Sequence, residues 1–243
     1  EKRLSLHLLG GWSLGWIELG AHLPVALYQD ANFSLLESQG VTGPLVDPVA
    51  TTALGDLRLG AKVPVLDATR WPLGLAAMLD LRLPTGNGDA FMSDGLALVP
   101  SAIATRAFGR VRLDAQLGYV IRGEAQYAQL VVHDGLTWAA GASVDLPRAG
   151  PLQRWRAIAE LSGGLPRGYE LDSERYRAPL EARGGLRWFA SRHLSVEAGG
   201  GAGLGSAGYG REAWRGFVGV GWGRGALGGA GGGFDHDRVG NPG

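Results

Sequence analysis

The chain has 243 residues, a length that suits one all-β barrel or sandwich as well as two small domains. Its 23 basic and 23 acidic residues balance, which argues against nucleic-acid binding through phosphate neutralisation. Cysteine is absent, so disulfides, thiolate metal sites and a cysteine nucleophile are excluded.

Glycine is unusually abundant, with 42 residues, and there are 8 tryptophans. At 45% hydrophobic residues the chain is too apolar to be a disordered glycine-rich segment, so these numbers favour a β architecture with a crowded backbone. No run of about 18 uncharged apolar residues exists, which excludes a helical membrane span; a barrel strand needs only about ten alternating residues.

Alternation of charged and apolar residues with a period of two predicts β-strands along the chain. Asp56, Arg58 and Lys62 share one face of the third strand, with leucine, alanine and valine on the other. Asp80 and Arg82 repeat the pattern among leucines. The predicted strands lie near 3–12, 16–28, 54–67, 73–84, 95–108, 110–122, 135–146, 154–166, 179–189, 194–203 and 214–223.

A soluble sheet and a membrane barrel could both produce this alternation, and glycine separates them. The charged faces also carry glycines such as Gly60, Gly118 and Gly185, which suit a curved, crowded interior wall and would bring nothing to a solvent face. Opposite charges within one face fit a lumen in which charges compensate each other. The predicted lumen-lining residues are Asp56, Arg58, Lys62, Asp80, Arg82, Arg112, Asp114, Arg156, Glu160, Glu181, Arg183, Arg187, Glu197 and Arg215.

The connections between the predicted strands alternate in length, as in outer-membrane barrels. Short turns are expected at 13–15, 68–71, 108–109, 147–153 and 190–193, on the periplasmic side. Long connections are expected at about 29–53, 85–94, 123–134, 167–178 and 204–213, on the outer side.

Tryptophans near the strand ends have the parity of the apolar face, which predicts an aromatic girdle at the membrane interfaces. The predicted girdle is Trp12, Trp155, Trp188 and Trp222 beside the short turns, and Trp138 and Trp214 near the opposite ends.

The count of eleven predicted strands is odd, whereas single-chain bacterial barrels usually have an even number. We therefore expect an up-and-down antiparallel transmembrane β-barrel of about twelve strands, with one strand upstream of Glu1 or not recognised. Pro24 and Pro64 fall inside strands and suit a bulge or the end of a ladder.

Several segments together resemble the N-terminal barrel of myxobacterial OmpA-family proteins: 8–12, 17–20, 23–28, 55–62 and 83–86. The resemblance covers most of 8–222. It implies an outer-membrane barrel followed by an Asp-rich linker and a peptidoglycan-binding domain, and residues 231–243 look like the opening of that linker. The expected organisation is a barrel over 1–223 and a flexible periplasmic linker containing glycine and aspartate over 224–243.

No motif in the sequence gives strong evidence for a catalytic, cofactor or metal site. The GxGxxG string at 203–208 lacks the following helix that a dinucleotide site needs. Asp235 and Asp237 lack the further ligands of a Ca²⁺ loop, which favours a flexible tail. His7, His22 and His193 share lumen parity with Glu18 and Glu197, but their spacing favours hydrogen bonding over metal ligation. We expect no enzyme activity, cofactor or metal.

The sequence thus predicts a barrel of the bacterial outer membrane, in contact with outer-membrane lipid and without a nucleic-acid partner. Its expected role is a membrane anchor or scaffold whose long loops meet another envelope or surface protein. The alternative is a small porin-like channel or transporter for polar solutes, and a soluble β-sandwich binding module is the third reading.

Overall fold

The computed structural model describes twelve stretches of the chain. They are residues 2–30, 52–68, 70–87, 93, 95–123, 125–127, 130–132, 134–147, 154–166, 180–191, 193–204 and 214–222. No helix in these stretches is long and apolar enough to cross a membrane. The predicted loop at 29–53, the string at 205–208, Asp235, Asp237 and the linker over 224–243 lie largely or wholly outside them.

The described residues form strands joined by turns and loops. In chain order the strands are β1 (Lys2–Leu14), β2 (Ile17–Asp30), β3 (Ala53–Leu54), β4 (Leu57–Leu66), β5 (Gly74–Leu83), β6 (Ala97–Phe108), β7 (Val111–Arg122), β8 (Ala125–Tyr127), β9 (Leu130–Val132), β10 (Gly135–Asp145), β11 (Arg154–Pro166), β12 (Leu180–Phe189), β13 (Leu194–Gly203) and β14 (Arg215–Trp222).

The principal sheet contains twelve strands, and each long strand pairs antiparallel with the next long strand in sequence. Eleven long strands follow one another from β1 to β14, and the two-residue β3 pairs with β2 beside this path. Strands β8 and β9 form a separate hairpin within the predicted 123–134 connection. The all-β, up-and-down barrel topology of about twelve strands is confirmed.

The connections alternate in length along the chain. The turns at 15–16 and 109–110 are two residues long, and Gly15 (φ 66°) and Gly109 (φ 60°) occupy the left-handed region that tight hairpins require. The connections after β2, β5, β7, β11 and β13 are longer. We call the two ends of the strands the short-turn end and the long-loop end, after the connections found there.

The two faces of the sheet differ in both polarity and exposure. Lys62 and Arg187 are only 1% and 2% exposed on the charged face. Val218 and Trp222 are 78% and 79% exposed on the opposite face. The charges are thus turned inward together with a small buried apolar cluster of Ala97, Val99 and Val120, and large exposed apolar side chains are turned outward. This is the arrangement of a barrel whose outer surface meets lipid. We call these faces the outer face and the inner wall.

Both prolines lie where the ladder is interrupted. The β4–β5 register shifts between Pro64 and Leu66, which marks a bulge. The β2–β4 ladder ends at His22, and beyond it the carbonyl of Pro24 accepts a hydrogen bond from the amide of Gly55 at 2.8 Å. A residue without an N–H therefore sits at a bulge or a ladder end, as predicted.

Close approach between β12 and β13 depends on glycine. Gly185 lies opposite Gly199, and Phe217 of β14 lies next to Gly199 on the same row. A Cβ at Gly199 would come within 2.5 Å of the Phe217 ring, so the ring occupies the space that a side chain would need. An aromatic ring over strand glycines stabilises positions that glycine alone would weaken.

The assignment of faces predicts opposite outcomes for two neighbouring residues of β7. Leu117 points outward and is 58% exposed, whereas Gln116 faces the inner wall. Leu117→Arg should lower the free energy of unfolding in lipid vesicles by about 2–4 kcal/mol, because it places a charge on the lipid-facing surface near mid-strand. Gln116→Arg is the matched control and should have a much smaller effect in the same urea titration. Equal losses would contradict the facing.

Candidate functional site on the inner wall

The strand register places thirteen of the fourteen predicted lumen-lining residues on one face of the sheet, the inner wall. Partner assignments show this directly, since Arg58 faces Arg82, Asp114 faces Thr105 and Arg187 faces Glu197. Asp56 precedes β4 with the parity of Arg58. The set therefore extends around the wall from β4 to β14.

A chain of alternating charges crosses strands β11 to β14. Arg183 Nη2 lies 2.5 Å from Glu160 Oε1, and Arg183 Nε lies 3.8 Å from Glu181 Oε1. Arg215 Nε donates to Glu181 Oε1 at 2.5 Å. These four side chains remain 24–37% exposed, so the ion-paired wall is still accessible to solvent.

Glycine in β13 makes the last of these pairs possible. Arg215 belongs to β14 and Glu181 to β12, so the pair bridges over β13, where Gly201 and Gly203 occupy the intervening positions. A Cβ at Gly201 would lie 2.6 Å from Arg183 Cγ and 3.3 Å from Glu181 Oε1. A larger residue there would displace the bridging side chains.

Two further ion pairs lie nearer the short-turn end. Arg187 Nε donates to Glu197 Oε2 at 2.8 Å, and the Arg187 side chain is 3% exposed. Arg156 Nε donates to Asp145 Oδ1 at 2.7 Å, where the aspartate side chain is 53% exposed. Arg187 is shielded from water, and the second pair is open to water on its aspartate side while the Arg156 side chain is 12% exposed.

The opposite part of the wall contains one buried lysine. Lys62 Nζ lies 3.3 Å from Glu18 Oε2, its direct cross-strand partner, and the lysine side chain is 1% exposed. On β6, Thr105 Oγ1 donates to Asp114 Oδ1 at 2.7 Å. Glu18 was assigned lumen parity beside the histidines, and Thr105 was not predicted to line the lumen, although its parity in the alternating pattern assigns it to this face.

Of the three histidines with predicted lumen parity, two lie together and the third lies apart from them. His7 Nδ1 and His22 Nε2 lie 2.8 Å apart, with their rings stacked at 5.1 Å between centroids. His193 instead lies in the short turn before β13, with its ring 6.3 Å from that of Trp222. Within the described part of the chain no three histidine or acidic residues form a group that could hold a metal ion.

The predicted girdle residues lie on the outer face at the strand ends. Trp155 and Trp188 are cross-strand partners near the short turns, with stacked rings 6.1 Å apart. Trp12 and Trp222 are 64% and 79% exposed at the same end. Trp138 has outer-face register with Leu117, and Trp214, immediately before β14, is 78% exposed. Exposed indole rings at both ends are the arrangement that an interfacial belt requires.

These features together define an outer-membrane-type β-barrel fold with a charged inner wall. A solved structure of an outer membrane channel from Pseudomonas putida F1 is similar, with a TM-score of 0.58 and 16% sequence identity over 89% of this chain and 82% of that one. No protein-family model and no curated protein matches the chain.

The burial of Arg187 predicts unequal effects of two charge-neutralising substitutions. Glu197→Gln should lower the free energy of unfolding in vesicles by about 3–5 kcal/mol, because it leaves a buried guanidinium without its counter-charge. Asp145→Asn removes the counter-charge of the more exposed pair and should lower it by about 0–1 kcal/mol. Urea titration followed by tryptophan fluorescence compares the two. Similar losses would show that burial does not distinguish the pairs.

Proposed function

We propose that this protein is a β-barrel of the bacterial outer membrane that provides a small passage for polar solutes. The observation that carries the proposal is the state of the charged inner wall: Glu160, Glu181, Arg183 and Arg215 are ion-paired and yet remain 24–37% exposed. Ion-paired side chains that still reach solvent fit an interior that holds water.

The ion pairs described above run along the inner wall and do not cross the lumen, which supports an open interior. The pairs Glu160–Arg183, Arg187–Glu197, Arg156–Asp145 and Lys62–Glu18 each join strands that are adjacent in the sheet. The Arg215–Glu181 pair spans one intervening strand. These charges therefore neutralise one another along the wall and leave the centre of the lumen to water and solute.

The apolar outer face and the similarity to a solved outer membrane channel both support a location in the outer membrane. Exposed leucine, valine and tryptophan side chains make outer-membrane lipid the expected contact of the outer face. The similar solved structure is described as an outer membrane channel, which supports both the location and the passage. The proposal assigns no enzymatic activity and no cofactor to the chain.

An anchor or scaffold is the second candidate function. The β8–β9 hairpin gives the long connection after β7 a folded element beyond the principal sheet, which suits contact with an envelope or surface protein. The resemblance to the OmpA-type barrel adds a periplasmic linker over 224–243 to this candidate. On this reading the barrel holds its loops and linker in place and conducts little.

Two glycines of β14 provide a test of the passage. Gly219 lies on the inner wall opposite Glu197, and nothing lies within 4 Å of an added Cβ. Gly219→Phe should reduce single-channel conductance in planar bilayers, because the phenyl ring projects into the lumen. Gly216 faces outward with a similarly open environment, so Gly216→Phe is the matched control and should conduct like the unmodified protein.

Steady ohmic steps from the unmodified protein, reduced only by Gly219→Phe, would support the passage. Refolded protein that inserts into the bilayer without conducting would reject it and favour the anchor.

A further inference from the structure

Three arginines share one row of the inner wall at the long-loop end. Across neighbouring strands His22 lies opposite Arg58, Arg58 opposite Arg82, Arg82 opposite Ala97, and Ala97 opposite Arg122. Neighbouring strands are about 4.8 Å apart, so Arg58 and Arg82 are side by side and Arg122 lies about 10 Å from Arg82 along the wall. We call Arg58, Arg82 and Arg122 the arginine row.

Like charges meet directly in the arginine row. Such pairs on neighbouring strands are destabilising, yet Arg58 faces Arg82. Arg156 of β11 also faces Arg187 of β12, but there each Nε donates to a carboxylate, that of Asp145 and that of Glu197 respectively. The arginine row therefore shares its register with that second pair and differs from it in how the Nε donors are used.

Two of these guanidinium groups have unused donors. Nε of Arg58 and Nε of Arg122 are buried without a hydrogen-bond partner. A buried donor that lacks an acceptor is destabilising, and more so when the group is charged. An acceptor that reached either guanidinium group would therefore be bound favourably.

Two carboxylates near the row accept hydrogen bonds from backbone amides. Asp56 Oδ1 accepts from the amide of Gly86 at 3.0 Å, and Asp134 Oδ1 accepts from the amide of Arg122 at 2.9 Å. Asp80 lies one row closer to the short-turn end, opposite Gly60, and interacts electrostatically with Arg82 and Arg58. Negative charge therefore flanks the Arg58–Arg82 part of the row, and Arg122 lies two strands beyond Arg82.

We propose that the arginine row is a binding site for an oxyanion, a carboxylate or a phosphate group, on a solute in the lumen. The guanidinium group offers only donors in a planar fork, which matches the paired oxygens of these anions. The inference extends the proposed passage by giving it a solute class. The row lies at the long-loop end of strands β4 to β7.

Binding can be measured without conductance. Thermal unfolding of the refolded protein in detergent is followed in sodium chloride, sodium phosphate and sodium acetate at equal ionic strength. Phosphate or acetate should raise Tm above the value in chloride, since a ligand of the folded state stabilises it. Arg58→Gln and Arg122→Gln should each weaken the apparent affinity for the anion by about tenfold or more.

Arg156→Gln is the matched control, because Arg156 also lies on the inner wall but belongs to the ion pair with Asp145. It should keep the anion-dependent rise in Tm. Arg58→Lys keeps the positive charge and loses the planar guanidinium fork. It should refold like the unmodified protein and bind the anion more weakly. This variant tests the site if the glutamine variant does not refold. No rise in the unmodified protein, or an equal rise in all variants, would overturn the site.

The reversal potential in a KCl gradient measures ion selectivity, and with the binding data it distinguishes the proposed anion site from the proposed passage. A conducting barrel should favour chloride over potassium, and Arg58→Gln with Arg122→Gln should shift the preference toward potassium. Anion-dependent stabilisation in a barrel that does not conduct would support the site and reject the passage. Conduction with no anion-dependent stabilisation would support the passage and overturn the site.

Discussion

The cross-strand register of the antiparallel sheet is the constraint on which the other features depend. Side chains alternate between faces with a period of two, so a slip of one residue would exchange Arg187 with Trp188. A charge on the lipid-facing side near mid-membrane is destabilising by about 2–4 kcal/mol. A one-residue slip in a long strand would move its charged side chains to that side and so destabilise the barrel. The alternation therefore specifies the register strongly, and the register determines which charges meet.

The inner wall uses this register in two different ways. On β11 to β14 the arginines form ion pairs with glutamates, and glycine in β13 leaves the space through which Arg215 reaches Glu181. On β4 to β7 the same geometry brings Arg58 opposite Arg82 and sets Arg122 two strands further on. The first arrangement neutralises the wall internally. The second leaves a concentration of donors that a solute anion can satisfy.

Much of the fold could be predicted from local patterns. The eleven long strands, their faces and the alternation of short and long connections all follow from period-two alternation and turn residues, and Pro64 was correctly expected at a bulge. Strand β3 and the β8–β9 hairpin were not predicted. They contain two and three residues per strand, too few for a period to be recognised. Strand β3 is defined by its pairing with β2, and β8 and β9 by their pairing with each other.

The sequence by itself determined which residues could face inward, because parity within a strand depends only on spacing along the chain. It placed His7 and His22, and likewise Arg58, Arg82 and Arg122, on one face without indicating which would be neighbours. Only the tertiary structure decided that His7 stacks on His22 and His193 does not join them, that Arg215 reaches Glu181, and that the three arginines share a row. The reason is physical: the offset between two strands depends on turn lengths, bulges and the packing of both faces together, none of which is contained in the period of a single strand.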